Sequence, residues 1–160
     1  MEMRYWQHRV KHEDGLSILK NEKKLTIGYS QAASSKKMKE AIDCKDYKLF
    51  CLAYREVYDG KIERSKNYLW HFVVEMQKGD VVVVPCKEGF YICRITSNVR
   101  RCNREELDLG WECDIEFLTR LKTPRKSYAS QKLLGSMRGH QSTLCIDHLK
   151  EDVDLVLRPR

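Results

Sequence analysis

The sequence predicts an α+β domain in which a curved or barrel-like β-sheet carries packed helices. Three observations lead there. A strand-like segment opens the chain, two segments of helical period occupy residues 50–76, and a run of strand-like segments fills residues 81–146. With 160 residues, one domain is expected over 1–160, and a hydrophobic content of 42% is enough to build its core.

Residues 4–10 alternate and read as a strand carrying Trp6, with a turn at His12-Glu13-Asp14-Gly15. Leu25-Thr26-Ile27-Gly28-Tyr29 reads as a short strand stopped by Gly28, and Ser30 to Ser35 as a small-polar loop. Phe50, Ala53, Tyr54 and Val57 then fall at helical spacing, and Leu69, Phe72, Val73 and Met76 repeat it. Asp59-Gly60 separates these two helices, and Lys78-Gly79-Asp80 ends the second, with Gly79 as its C-cap. The valine run Val81 to Val84 is a buried strand closed by Pro85, and Lys87-Glu88-Gly89 turns a hairpin into a strand from Phe90 to Thr96. Along residues 111–121, Trp111, Cys113, Ile115, Phe117, Thr119 and Leu121 share one face, while Glu112, Asp114, Glu116 and Arg120 lie mostly on the other. Ser142 to Ile146 is a last strand, and residues 147–158 form a helix or exit segment.

The composition excludes several classes. No segment is long and apolar enough to span a bilayer, and Met1 to Trp6 contain no apolar signal region. Seven cysteines without a C-x-x-C pair argue against a zinc ribbon, and free thiols at this density point to a reducing compartment. A cytoplasmic protein is therefore expected, nuclear if the source is eukaryotic, with no membrane partner. Neither a phosphate-cradling G-x-x-x-x-G-K-[ST] loop nor a G-x-S-x-G elbow is present. Pro85-Cys86 lacks the second cysteine that a zinc deaminase needs three positions on. Glu22-Lys23-Lys24 spells a nuclease triplet but sits on no hydrophobic strand, and the five histidines are scattered. No catalytic centre, metal or cofactor is expected.

Charge and aromatic residues point instead to binding. Thirty Lys and Arg against 23 Asp and Glu give a net charge of +7, which suits a polyanion. Basic clusters occur at Lys36-Lys37-x-Lys39, at Arg100, Arg101 and Arg104, and at Lys122, Arg125 and Lys126. The last two bracket the long strand and are the candidates for phosphate contacts. Trp6, Tyr29, Trp70 and Trp111 sit at the ends or starts of elements, where a ring can stack on a base; otherwise each fills the core.

Several of these segments together resemble a known family. Tyr5-Trp6-x-x-Arg9, Ile27-Gly28-Tyr29 and the run Leu69-Trp70-x-Phe72-x-x-Glu75-Met76-x-x-Gly79-Asp80-Val81-Val82-Val83-Val84-Pro85 are similar to EVE-like domains of the PUA and YTH superfamily. Such domains stand at the N-termini of Mrr-type and Mcr-type modification-dependent restriction proteins. Tyr91 to Thr96, Trp111, and Leu133-Leu134-Gly135-Ser136 with Gln141 to Leu144 resemble later parts of the family pattern, so the likeness spans about residues 4–146. Tyr29 stands where the family usually has tryptophan, and Cys93 where it has glycine. The resemblance implies a PUA-like fold that holds an extruded, modified base of DNA in an aromatic pocket drawn from Trp6, Tyr29, Trp70 and Trp111. Arg9 and the bracketing clusters would lie on the DNA backbone. The chain would be the specificity module of a restriction system and not itself an enzyme, with a nuclease or GTPase supplied by another domain or subunit. The alternatives are an RNA-binding PUA-like reader, or a nuclease or RNA-modification subunit whose site the motifs do not reveal.

The two periodicities also predict where the core lies: Phe72, Val73 and Met76 on one helix face should meet Val82 and Val84 on one strand face. Replacing Phe72 by alanine should then lower the unfolding free energy by about 3–5 kcal/mol. Urea denaturation of Phe72→Ala checks this, and an unchanged midpoint would mean that the helix is not docked there.

Overall fold

The first strand, β1 (Tyr5–His8), is buried along its whole length because it lies inside a sheet. It runs parallel to β3 (Val81–Cys86) and antiparallel to β8 (Thr143–Cys145). In the computed structural model, residues 2–59, 65–87, 89–120, 122–124, 129–139 and 141–159 are described. Of the sequence expectations, those on Gly60, Glu88, Leu121, Arg125, Lys126 and His140 lie outside these residues.

The other strands are β2 (Lys24–Ile27), β4 (Gly89–Ile95), β5 (Arg100–Arg104), β6 (Leu109–Phe117) and β7 (Thr123–Pro124). The sheet order is β2-β6-β4-β3-β1-β8, with β5 also on β6 and β7 on β4. Every pairing except β1–β3 is antiparallel. The result is a strongly curled half-barrel with flanking helices, an α+β architecture.

Alternation along the valine run builds two cores. Val82 and Val84 face one side with Trp6, Cys93, Ile95, Trp111, Cys113 and Ile115. Phe50, Phe72 and Met76 cover that side, with Val73 packed at its margin. Val81 and Val83 face the opposite side with Tyr5, Phe90 and Ile92, under Leu133, Met137 and Val153. A strand buried on both faces has no polar positions to alternate with, which is why the run is unbroken valine.

The helical segments depart from expectation in four places. The predicted turn at residues 12–15 is the first turn of α1 (His12–Glu22). Glu13 and Asp14 suit the positive end of its dipole, and Gly15 is a contact glycine. A Cβ on Gly15 would come within 3.0 Å of the Val10 Cβ. The predicted loop at 30–35 contains a single helical turn, α2 (Ser30–Ala33), followed by α3 (Lys36–Asp43), whose N-cap Ser35 accepts from the Met38 N–H at 3.2 Å. The Lys36-Lys37-x-Lys39 cluster therefore decorates a helix whose Met38 and Ala41 are buried. Gly79 is not a helix cap. α4 (Tyr47–Tyr58) is as expected, but the next helix, α5 (Lys66–Trp70), passes into a π turn (His71–Glu75) and ends at the extended Met76. Gly79 instead serves the following turn, with φ +98° and its N–H on the Ile95 carbonyl at 2.8 Å. Finally, α6 (Gln131–Arg138), capped by Ser130, is a helix that was not expected before β8, whereas α7 (Lys150–Leu157) falls within the expected helix or exit segment.

Asp80 closes the junction between the π turn and β3. Its carboxylate accepts from the backbone N–H of Arg4 at 3.1 Å and of Gln77 at 3.0 Å, and from the Trp6 indole at 2.9 Å. No helix among the described residues is long and apolar enough to cross a membrane.

His8 is wholly buried between β2 and β8. Its Nε2–H donates to the Thr26 carbonyl at 2.8 Å, so in the neutral ring Nδ1 accepts from the Thr143 hydroxyl at 2.9 Å. Burial pulls its pKa down to about 4 despite the Thr26 bond. The unfolded chain therefore binds a proton near pH 6.5 that the folded chain refuses until about pH 4. Stability from this group is complete above pH 6.5 and is lost as pH falls toward 4, a decline of about 3 kcal/mol. Urea midpoints measured across this window should show the slope, and His8→Gln should flatten it.

Candidate functional site

A cavity of about 720 Å³ opens where the ends of β1 and β2 meet α2 and α4. Its volume falls in the range of small-molecule sites. Tyr29, Tyr54 and Tyr58 form an aromatic wall, continued by Val10, Ile27 and Gly28; Arg9, Lys11, Ser30 and Asp108 are among the polar groups. Tyr54 and Tyr58 lie one helical turn apart on α4, with ring centroids 4.7 Å apart. Tyr29 meets them from the opposite side, 6.1 Å from Tyr54 and edge-on to Tyr58 at 6.2 Å. Tyr54 is 1% exposed and forms the floor, while Tyr29 and Tyr58 are half-buried and form the sides.

The local chain path explains the position of Tyr29. It is the N-cap of α2 with φ 62° and ψ 40°, the left-handed region that a bulky residue enters only at a cost of about 1–3 kcal/mol. The other described non-glycine residues at positive φ are Lys23, Lys45, Asp59 and Asp108, all at or just beyond the end of a helix or helical turn, where that conformation is ordinary. Tyr29 alone among them is an aromatic at a helix start. Close backbone approach holds it there. The Gly110 N–H donates to the Gly28 carbonyl at 3.0 Å, and a Cβ on Gly110 would stand 2.7 Å from that oxygen and 3.0 Å from the Tyr29 oxygen.

Hydrogen bonds fix the rings and rim. The Tyr29 hydroxyl donates to the Ser65 carbonyl at 3.1 Å, and the Tyr54 hydroxyl shares a bond with the Ser65 hydroxyl at 2.9 Å. Burial pushes the phenols of Tyr29 and Tyr58 up to about 12, so both rings are neutral near pH 7. On the rim, Asp108 accepts from the Ser30 hydroxyl at 2.6 Å and pairs with Lys11. Burial raises the Asp108 carboxyl, but the bonds from Lys11 and Ser30 outweigh that and hold it below the usual range. Arg9 donates to the carbonyls of Met137 and Gly139, which anchors it between β1 and the end of α6. Neutral rings facing a cavity with ionised groups at its mouth suit a flat, uncharged heterocycle attached to a polar backbone.

The expected site residues separate. Tyr29, Arg9 and the cavity come together. Trp6 is wholly buried, its ring covered by the Arg4 guanidinium at 4.5 Å, and belongs to the core. Trp70 packs edge-on against Phe50 at 5.0 Å and Tyr47 at 5.1 Å, away from Tyr29. Trp111 is 6% exposed and lines a different, smaller cavity. Tyr54 and Tyr58 are the members that the sequence reading missed. Their i, i+4 spacing was visible, but Tyr54 also fits the apolar helix stripe.

The expected phosphate cluster on β5 divides between the two faces of the strand. Arg100 binds Glu112 and Asp114 at 2.8 Å each. Arg104 binds Glu22 at 2.7 Å and Glu112 at 3.2 Å, and Lys24 approaches Glu112 at 3.7 Å. Glu112 is 6% exposed beneath these cations. Arg100 and Arg104 are therefore ion-paired with these carboxylates, at side-chain exposures of 41% and 22%. Arg101, on the opposite face of β5, makes no ion pair with any described carboxylate and donates to the Ala33 carbonyl at 2.9 Å. Lys122 lies beside the β3–β4 hairpin, its ammonium 3.4 Å from the Lys87 carbonyl. No protein-family model matches the chain, and no curated protein matches it.

If Gly110 is what positions Tyr29, Gly110→Ala should force the two backbones apart and destabilise the fold by about 1–3 kcal/mol. Tyr29 should move with them, which would show as a change in its ring resonances or in tyrosine emission. A variant with wild-type stability and an unchanged tyrosine signal would remove this close approach from the account.

Proposed function

We propose that the chain is a nucleic-acid-binding module of PUA-like type that reads a modified base in DNA, serving as the specificity element of a modification-dependent restriction system. The observation that carries the reading is the cavity walled by Tyr29, Tyr54 and Tyr58, with Arg9 and Lys11 at its margin. The curled half-barrel with helices on it is compatible with the PUA-like fold that the sequence resemblance implies.

The physical case is a balance of two terms. Extruding a base from a duplex costs a few kcal/mol, least where pairing is already weakened. Stacking against tyrosine rings returns about 1–3 kcal/mol per base, and burying a methyl group adds to it. Discrimination then comes from the space beside the rings, which a methyl group fills and a hydrogen leaves empty. Cleavage would belong to a nuclease or GTPase on another domain or subunit.

A panel of short duplexes, each carrying one methylated cytosine or adenine, together with plain duplex and RNA of the same sequence, tests this. One modified duplex should bind more tightly than its plain counterpart. Tyr58→Ala and Tyr29→Asn should lose about 1–3 kcal/mol of that preference while keeping plain-duplex binding. Asparagine is chosen at position 29 because it tolerates the left-handed backbone. Equal losses on modified and plain duplexes would sink the base-cavity reading, and a preference for RNA would transfer the module to the RNA class.

A further inference from the structure

The tyrosine cavity does not end at α2. It shares Ser30 and Glu105 with a neighbouring depression of about 530 Å³. That depression in turn shares Ala33 and Arg101 with a third cavity of about 300 Å³. The three therefore adjoin one another along α2, from the tyrosine rings to the far side of β5, with Ser30 and Glu105 standing between the first two. The far end combines Trp111, Val99, Val73 and Ile42 with the charged residues Lys39, Asp43, Arg100 and Arg101, of which Lys39 and Asp43 pair with each other at 2.7 Å.

Strand register explains why the arginine and the indole meet there. Arg101 sits directly opposite Trp111 in the β5–β6 ladder, so their side chains leave the sheet on the same face. Arg100 sits opposite Glu112 and bonds to Glu112 and Asp114, while also contributing to the lining of the far cavity. Arg101 has one N–H on the Ala33 carbonyl, which orients the guanidinium, and no described carboxylate neutralises it. Its other donors can take a phosphate in the fork geometry that guanidinium favours.

We propose that this far cavity is a second nucleotide subsite, which takes the nucleotide adjoining the extruded base. Its phosphate lies on Arg101 and its base on the apolar lining beside Trp111. The proposal rests on the tyrosine-cavity reading and adds the direction in which the strand leaves that cavity. The far cavity keeps an excess of cations, Lys39, Arg100 and Arg101 against Asp43, and it adjoins the other two along α2, which together favour a nucleic-acid strand as the occupant. The subsite makes the module sensitive to the sequence next to the modified base.

The test uses the full chain and the best-bound methylated duplex, with the free methylated nucleoside as a second ligand. Arg101→Ala removes the phosphate contact from an exposed position, and Val99→Trp fills the far cavity from its half-buried lining. Both should weaken duplex binding roughly ten-fold or more, and weaken the free nucleoside much less. Arg101→Ala should also reduce the slope of log affinity against log salt by about 1. Lys132→Ala, at an exposed position of α6, should change neither. Wild-type duplex affinity in Arg101→Ala or in a folded Val99→Trp, with Tyr58→Ala still impaired, would overturn the subsite and leave the tyrosine cavity standing. If Tyr58→Ala binds every duplex as wild type does, the tyrosine cavity falls, and the subsite with it.

Discussion

β6 hydrogen-bonds to three strands. β2 covers one edge of it, from Trp111 to Asp114. The other edge is divided between β5, which pairs from Leu109 to Glu112, and β4, which pairs from Ile115 to Phe117. Two strands that share one edge in succession must part where they meet, so the sheet curls about β6 and does not continue flat. At the start of β6, Gly110 lies against Gly28 and Tyr29, and Trp111, whose ring enters the core, pairs with Arg101. Both ends of the row of cavities are built on these few residues.

The same strand sorts the charges. Glu112 is nearly buried on its outer face and accepts from Arg100 and Arg104, with Lys24 close by. A buried carboxylate without such partners would cost several kcal/mol, so these arginines contribute to the stability of the fold. One residue along, the side chain points the other way, and Arg101 meets an indole in place of a carboxylate. An excess of positive charge over the whole chain therefore says little about which cations reach a polyanion. The alternation of a strand decides it.

At the tyrosine cavity, backbone and side chains depend on each other. Tyr29 occupies a left-handed conformation at the start of a single helical turn, a position that glycine or asparagine would fill with less strain. Strain of this kind persists only where the surroundings over-determine it. Here the surroundings are the Gly28–Gly110 approach, the Ser65 carbonyl on the phenol, and the rings of Tyr54 and Tyr58.

Much of the framework was legible from residue order. The valine run, the alternation from Trp111 to Phe117 and the apolar stripes of α4 and the Leu69–Met76 segment are local periodicities, and local periodicity is what backbone geometry imposes on side chains. The helices α1, α3 and α6 were not legible. Gly15 and Gly135 resemble turn residues, the lysine run hides the buried Met38 and Ala41, and the Ser35 and Ser130 caps are short signals. For the site, the sequence determined by itself that aromatic and basic residues were present near element ends, with Tyr29 among them. Only the tertiary structure decided that Trp6 is core, that Tyr54 and Tyr58 complete the wall, and that Arg101 differs from Arg100 and Arg104. The reason is physical. Sequence period sets which side of an element a residue faces, but what that side meets depends on strand register and on elements distant in the chain.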